Sequence, residues 1–325
     1  MIRFLALRLA GGLAVIFAVA TVAFFLLRAA PGGPFDSEAK SSPAVQQALR
    51  ERYHLDEPLA AQYVRYLGGL VRGELGHSLK RRQSVAELIG DHFPYSAVLG
   101  VSALLLAVLL GVSAGLLAAW RRNTWLDGGA MALALLGLSV PSFVLGPILI
   151  SVVSMRLGWL PPARVDGWSS YILPALALGL VYAGVLARLA RAGVLEVLEE
   201  DYIRTARAKG LSEAKVVLRH AARLGLVPVV TYLGPASAAL LTGSFVVEKI
   251  FQVPGLGFYF VNSIADRDTP VLTGVFVFYV ALLVLANVLA DVAHVWLDPR
   301  LALGREGPRC CLLYTSPSPR DGLLS

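Results

Sequence analysis

Cysteine is absent from residues 1–309, because the only two cysteines of the 325-residue chain are the adjacent Cys310 and Cys311. A disulfide framework and a thiolate metal site are therefore excluded for the body of the protein. Charge is also scarce: Asp, Glu, Lys and Arg make up 16% of the residues, against about 25% in soluble domains. Hydrophobic residues make up 56% of the chain and the mean hydropathy is +0.66, which indicates a membrane protein.

Six uncharged stretches are long enough to cross a bilayer, which takes about 20 helical residues. They cover residues 9–27, 95–120, 128–155, 169–187, 224–247 and 271–290. The first resembles a cleaved signal peptide, but it is longer than a usual signal core and is followed by a poor cleavage site. The sequence therefore predicts an all-α polytopic membrane protein with six transmembrane helices and a small external helical segment after the first.

None of the six stretches contains Asp, Glu, Lys, Arg or His. This absence excludes a voltage sensor and argues against ion-coupled carriers and proton pumps, although sodium held by backbone carbonyls stays possible. No lysine follows a glycine, so a phosphate-binding loop of the G-x-x-x-x-G-K-[ST] type is excluded. We expect no catalytic residues, no metal site and no cofactor. Active transport would need an energy-supplying partner in the cytoplasm.

Lys and Arg in short loops predict which side of the membrane each loop occupies. The eight Lys and Arg between Arg188 and Arg223, together with Arg121 and Arg122, fall on one side with the N-terminus. We therefore expect both termini in the cytoplasm, and we attribute the net charge of +7 to these loops rather than to nucleic-acid binding. The predicted organisation is a first transmembrane helix at 1–30, an external segment at 31–93, a five-helix core at 94–298 with a cytoplasmic loop at 188–223, and a tail at 299–325.

The cytoplasmic loop contains the stretch RTARAKGLSEAKVVLRHAARLGLVP, from Arg204 to Pro228, with six basic residues and one acid. We expect a short helix at 202–209, a left-handed Gly210 that ends it, and Ser212 as the cap of a second helix at 213–223. Such a surface binds anionic lipid or docks a cytoplasmic motor protein. Composition alone favours lipid.

Proline occurs twice in each of two predicted spans. Pro141 and Pro147 lie in the third, and Pro228 and Pro235 in the fifth. Proline removes a backbone donor and bends a helix. These residues either shape a mobile, cavity-lining helix pair or produce ordinary packing kinks, and the sequence leaves both interpretations open.

The longer stretch DYIRTARAKGLSEAKVVLRHAARLGLVP resembles the cytoplasmic loop of permease subunits in binding-protein-dependent ABC importers, especially the dipeptide, oligopeptide and nickel branch. In the family register E-A-A-x-x-x-G, Arg204 replaces the glutamate, whereas Ala206 and Gly210 match. The later I-x-L-P pattern is lost, and a proline follows at Pro228. The resemblance implies a coupling loop at 188–223 that contacts the ATPase through Asp201, Arg204, Thr205, Ala206, Lys209, Gly210 and Ser212. Asp201 or the basic side chains would replace the missing glutamate.

Further stretches are similar to the same branch, including LRLAGGLAVIFAVATVAFFLLRAAPGGP, PSFVLGPILISVVSMRLGWLP and FQVPGLGFYFVNSIADRDTPVLTG. The resemblance implies a type I importer fold in the inner or plasma membrane of a prokaryote. The implied partners are a second permease subunit, two ABC ATPase subunits, an external solute-binding protein and membrane lipid. Such a subunit imports peptides or a related solute by alternating access. The rival interpretation is a stand-alone secondary carrier or channel.

The resemblance ends after Asp298-Pro299-Arg300. The final stretch, RCCLLYTSPSPRDGLLS, has no periodicity and no apolar face. We interpret residues 309–325 as translated sequencing-adapter read-through rather than as a native tail, and we expect them to be unstructured and without function.

Overall fold

The computed structural model describes residues 2–29, 57–81 and 83–297. The helices are α1 (Ile2–Ala29), α2 (Leu59–Val71), α3 (Val85–Trp120), α4 (Trp125–Ser139), α5 (Ser142–Arg156), α6 (Ile172–Val197), α7 (Asp201–Ala208), α8 (Glu213–Gly225), α9 (Val227–Leu241), α10 (Phe245–Ile250), α11 (Leu256–Ala265) and α12 (Thr269–Leu297). Within the described residues there is no strand, and His77 and Ser84 form an isolated antiparallel bridge. The tail at 309–325 lies outside the described residues, as do residues 31–56 and 82 of the predicted external segment.

Four helices, α1, α3, α6 and α12, are each long and apolar enough to cross a membrane. Two bent pairs meet the same test when each pair is taken as one span: α4 with α5, bent by 102°, and α8 with α9, bent by 53°. The all-α polytopic fold with six spans is therefore confirmed. Both bent spans also contain a π-helical turn, at Ile150–Arg156 and at Val216–Ala221.

Helix limits differ from the sequence prediction where polar residues extend a span beyond its apolar run. Helix α3 begins at Val85 rather than at 95, so Pro94 lies inside the helix. The division between external segment and core at 93/94 stays a prediction. The cause of the early start is a capping box, in which the Ser84 hydroxyl accepts from the Glu87 N–H and the Glu87 carboxylate accepts from the Ser84 N–H. The early start of α3 places Glu87 and Asp91 within its first turns.

The fourth and fifth spans also depart from prediction. Helix α6 continues to Val197 instead of ending at 187, so the first ten residues of the predicted loop at 188–223 are helical. Helix α9 ends at Leu241 instead of 247, because Gly243 adopts a φ of +79° that interrupts the helix. The residues beyond it form the separate helix α10.

The two helices at the centre of the molecule, α3 and α6, approach each other through small residues. On α3 these recur every four positions, at Ala103, Ala107, Gly111 and Gly115, and on α6 they recur at Gly179, Ala183 and Ala187. A Cβ atom placed on Gly111 would lie 2.6 Å from the Ala183 carbonyl oxygen. Backbones in such close contact gain van der Waals attraction. This attraction holds helices together in a membrane, where the surrounding lipid is apolar and the hydrophobic effect does not drive association.

The remaining spans pack on this pair or on one another. Helix α12 packs on α9, with Gly234 against Ala290, and α1 packs on α12, with Gly12 against Val284. The Arg8 guanidinium lies 3.2 Å from the Asp291 carboxylate and so joins α1 to α12 near one end. Helix α2 contacts the other end of α1 through aromatic rings, in which Phe24 stacks on Tyr66 at 5.3 Å.

The polar segments that connect the helices lie in two groups, one at each end of α3. We call the first the α7 end; it holds the end of α3, the start of α4, the end of α6, and α7. We call the second the α11 end; it holds the start of α3, α10, α11 and the start of α12. At the α11 end, the buried Asp268 carboxylate accepts from the Ser78 hydroxyl and from the Leu79 N–H at 3.1 Å, which fixes the turn before α3 to α12.

Candidate coupling site

Helix α7 lies against the ends of the spans through one apolar face. Ile203 is fully buried and Ala206 nearly so, and their spacing of three puts both on the same side of the helix. They join one hydrophobic cluster with residues of α3, α6 and α8, namely Ala119, Val194, Leu198, Val216, Val217 and Ala221. A displacement of α7 must therefore move the ends of three spans or open this cluster.

The opposite face of α7 carries its polar side chains into the open. Asp201, Arg204, Thr205 and Lys209 are all exposed. Arg204 forms an ion pair with Asp201 at 3.3 Å, but the two side chains are 74% and 96% exposed, so the pair contributes little to stability. These charges remain accessible to another protein. Ala206 is the exception among the predicted contact residues, because it faces the spans instead.

The turn after α7 has the geometry predicted from Gly210. Gly210 adopts a φ of +75°, and its N–H donates to the Arg207 carbonyl at 2.9 Å. The Leu211 N–H donates to the Ala206 carbonyl at 3.4 Å, which completes a Schellman motif. A Cβ atom on Gly210 would meet nothing within 4 Å. Glycine is required here by backbone conformation and not by lack of space.

An ion pair that was not predicted from the sequence closes this turn. Arg207 Nε donates to the Glu213 carboxylate at 2.8 Å, so the end of α7 is tied to the start of α8 across Gly210. The Arg207 guanidinium also donates to the Leu198 carbonyl at 3.5 Å. The signal was present in the sequence as the only acid of the basic stretch, placed six residues after an arginine.

Ser212 does not cap the second helix in the predicted way. It occupies the N-cap position with an extended backbone, but its side chain accepts no hydrogen bond there. The capping part of the Ser212 prediction is therefore wrong. The first turn of α8 is held instead by the Val216 N–H, which donates to the Ser212 carbonyl at 3.0 Å, and by the Arg207–Glu213 pair.

A second ion pair braces the same end of the molecule. Arg191 of α6 donates to both carboxylate oxygens of Asp127 in α4, at 2.6 and 2.8 Å, and Asp127 also accepts from the Asn123 N–H. The Asp127 side chain is 7% exposed. This pair could not be expected from the sequence, because Asp127 precedes an uncharged stretch and Arg191 falls in the predicted loop at 188–223.

The four prolines divide between the two bends. Pro141 lies at the 102° bend, where Val140 before it is extended, as the residue before a proline prefers. Pro228 lies in the first turn of α9, directly after the 53° bend, whereas Pro147 and Pro235 lie inside helices. Kinking therefore accounts for Pro141 and Pro228. A role in a mobile helix pair stays a prediction for all four.

A cavity of about 300 Å³ lies beside the first bend. Its wall includes Ser142, Leu178, Tyr182, Leu240, Gly243 and Ser244. Pro141 immediately precedes the wall residue Ser142, and none of the four prolines lines this cavity. Its walls come from both bent spans, from α6 and from the turn after α9.

Comparison with known proteins assigns most of the chain to recognised families. Residues 111–303 match the family described as the binding-protein-dependent transport system inner membrane component, and residues 1–100 match its N-terminal companion. The chain is 43% identical over 308 residues to a dipeptide transport system permease protein of Bacillus subtilis (strain 168), covering 94% of this chain and 100% of that protein. It is 40% identical over 304 residues to an oligopeptide transport system permease protein of Escherichia coli (strain K12), covering 93% and 99%. It is also 40% identical over 303 residues to a glutathione transport system permease protein of Escherichia coli O6:H1, covering 93% and 99%.

Proposed function

Since the chain belongs to the family of binding-protein-dependent transport system inner membrane components, we propose that α7 and the Gly210 turn seat a partner ATPase and couple its cycle to the spans. The protein is a membrane subunit of an ATP-driven importer and not itself an enzyme, because ATP hydrolysis resides in separate subunits. Its partners include an ATPase and a solute-binding protein.

The observation that carries the coupling proposal is the two-sided character of α7. Its buried face, through Ile203, is part of the cluster that joins α3, α6 and α8. Its exposed face presents Asp201, Arg204 and Lys209 to the surrounding solution. A helix held rigidly by the spans and polar on its free side suits transmission of movement from a soluble partner.

We propose short peptides as the transported solute. The similar proteins are named for transport of dipeptides, oligopeptides and glutathione, which share a peptide backbone and charged termini. The cavity of about 300 Å³ between the bent spans is a candidate segment of the path. Loaded binding protein would dock at the α11 end, and the bent spans would change shape as access alternates between the two sides of the membrane.

The proposed assembly contains a second permease subunit and two ATPase subunits, with both termini of this chain in the cytoplasm. The structure supports the grouping of loops on which that orientation rests. Arg121, Arg191 and the basic stretch after α7 all lie at the α7 end. A cytoplasmic location for the basic end follows the preference of short Lys- and Arg-rich loops.

The test is peptide uptake by proteoliposomes that contain the complete complex. We expect uptake of a labelled dipeptide or oligopeptide only when ATP and loaded binding protein are both present. Liposomes that contain this chain alone should transport nothing. Uptake by the chain alone, driven by an ion gradient, would support the stand-alone carrier and contradict the proposal.

A further inference from the structure

A fully buried carboxylate lies at the α11 end, outside the six spans. Glu248 of α10 is 0% exposed. Within the residues that the structure describes, it has no ion-pair partner, and the neighbouring Lys249 ammonium lies over the Phe245 ring at 5.6 Å. Burial raises the pKa of the Glu248 carboxyl, while hydrogen bonds from Ser96, Phe258 and Gly257 oppose that shift. A buried carboxylate without a cation has to be satisfied by such donors.

The donors come from two separate elements. The Ser96 hydroxyl of α3 donates to Glu248 Oε1 at 2.8 Å, and the Phe258 N–H of α11 donates to Oε2 at 3.2 Å. Ser96 in turn accepts from the Leu256 N–H at 2.8 Å. Glu248 thus connects α10 to both α3 and α11.

The bonds to α11 satisfy the free donors at its N-terminus. The first N–H groups of a helix have no partner within it, and they attract negative charge. The N-cap residue of α11 is Gly255, which has no side chain to accept from them. Glu248 and Ser96 take over that role, and the carboxylate lies where the helix dipole favours it.

Three glycines approach this carboxylate so closely that a Cβ atom on any of them would force the Glu248 side chain to shift. A Cβ atom on Gly255 would lie 2.5 Å from both Ser96 Oγ and Glu248 Cδ, and one on Gly257 would lie 2.9 Å from Glu248 Oε2. A Cβ atom on Gly243 would overlap Glu248 Oε1. Backbone segments from both sides of α10 are therefore pressed onto one side chain, which fixes their relative positions.

Helix α3 extends from this joint to the coupling site without a break. Ser96 lies in its fourth turn, and Ala119 at its far end belongs to the cluster that holds Ile203 of α7. A force applied to α11 therefore reaches α7 through a single helix, provided that the Ser96–Glu248 joint is firm.

We propose that Glu248 and Ser96 are a positioning pair that fixes α11 to α3, so that docking of loaded binding protein at the α11 end is transmitted to the coupling site. The inference rests on the proposed function. The pair does not touch the solute. Its role is to keep the docking end and the coupling end mechanically connected.

The experiment compares Ser96→Ala and Glu248→Gln in the reconstituted complex. Ser96→Ala removes one donor to Glu248 and one acceptor for Leu256. Glu248→Gln keeps the size but replaces one accepting oxygen with an NH₂ group. Ser263→Ala is the matched control, because Ser263 is a buried serine of α11 whose hydroxyl donates only to the Phe260 carbonyl of its own helix. The readout is the ATPase rate with loaded binding protein divided by the rate without it.

We expect Ser96→Ala and Glu248→Gln each to lower that ratio about tenfold, because losing a hydrogen bond to a charged group shifts a two-state equilibrium by about that factor. The basal ATPase rate should stay unchanged in both variants, and the ratio should stay unchanged in Ser263→Ala. A spin label at position 264 of α11, in a chain whose two cysteines are replaced by serine, should become more mobile in both variants. Unchanged label mobility would overturn the positioning role. Greater mobility with a wild-type ratio would overturn the transmission role. Absence of stimulation in the wild-type complex would instead contradict the proposed function itself.

Discussion

Asp127 and Arg191 lie 64 positions apart in the chain, yet two parallel hydrogen bonds of 2.6 and 2.8 Å join them at the α7 end. The pair fixes the start of α4 to the end of α6, next to the cluster that holds α7. The two partners differ in exposure, at 7% for the Asp127 side chain and 29% for Arg191. Because of that difference, removing one partner should cost a different amount of stability from removing the other.

Arg191→Ala should destabilise the protein by about 3 kcal/mol, because it leaves the buried Asp127 carboxylate without its cation. Asp127→Ala should cost only about 1 kcal/mol, because the Arg191 guanidinium reaches water when released. The double variant should be more stable than Arg191→Ala alone. Thermal unfolding followed by tryptophan fluorescence measures the stability of each variant. Equal losses of stability in the two single variants would contradict this prediction.

Gly210→Val should leave insertion and assembly intact but reduce ATPase stimulation by loaded binding protein. A β-branched residue at a φ of +75° carries strain of about 1–3 kcal/mol, which is relieved by moving α7. Gly210→Asn is the matched control, since asparagine adopts this conformation more readily and the site has space for a side chain. Full stimulation in Gly210→Val would remove the turn from the coupling mechanism and favour lipid binding by the loop.

Gly111→Leu should separate the central helices. Its side chain would meet the Ala183 carbonyl and Leu186, where a Cβ atom alone would come within 2.6 and 2.8 Å. Overpacking of this kind costs about 1–3 kcal/mol or more. Gly128→Leu is the control, because nothing lies within 4 Å of a Cβ atom there. The yield of monodisperse protein on gel filtration should fall for Gly111→Leu only; equal yields would show that the small-residue contact between α3 and α6 is dispensable.

Single cysteines test the proposed orientation in a chain whose Cys310 and Cys311 are replaced by serine. Ala60 of α2 and Ala208 of α7 are both exposed. An impermeant thiol reagent should label Ala60→Cys in intact cells and Ala208→Cys only after permeabilisation. The reverse pattern would invert the topology.

Glu248 gives a pH dependence whose sign follows from its raised pKa. The folded state binds a proton more tightly than the unfolded chain, whose carboxyl titrates near its ordinary value of 4.5. The Glu248 contribution to stability is therefore fully present below pH 4.5 and is lost as the pH rises through the folded-state pKa. The free energy of unfolding, measured with denaturant across this pH window, should fall with rising pH in the wild type. It should have a smaller slope against pH in Glu248→Gln. Identical slopes would show that Glu248 does not titrate differently in the two states.

The sequence was sufficient for the features that depend on local chemistry. Uncharged runs gave the number of spans, and Gly210 gave the left-handed turn, because each depends on residues adjacent in the chain. The ends of the helices were harder to predict from the sequence. Polar residues such as Glu87 and Arg188 end an apolar run without ending a helix, since a helix remains stable when it leaves the membrane.

The tertiary contacts could not be deduced in the same way. Asp127 pairs with Arg191 across 64 positions, and Glu248 is buried against Ser96 across 152 positions. Neither pair follows from the spacing of residues within one element, because it depends on which helices become neighbours. Ala206 shows the converse: the family register implied a contact with the ATPase, which stays a prediction, and packing turns the Ala206 side chain toward the spans.

The π-helical turn at Val216–Ala221 has a consequence for deletions and insertions. A π turn accommodates one residue more than an α-helical turn does, so removal of one residue there restores α-helical geometry and leaves both flanking segments facing as before. The same deletion in the unbroken α3 would rotate everything after it by about 100°, because an α-helix has 3.6 residues per turn. A gap of one residue between this chain and a relative is therefore expected within 216–221, close to the coupling site but without effect on its orientation.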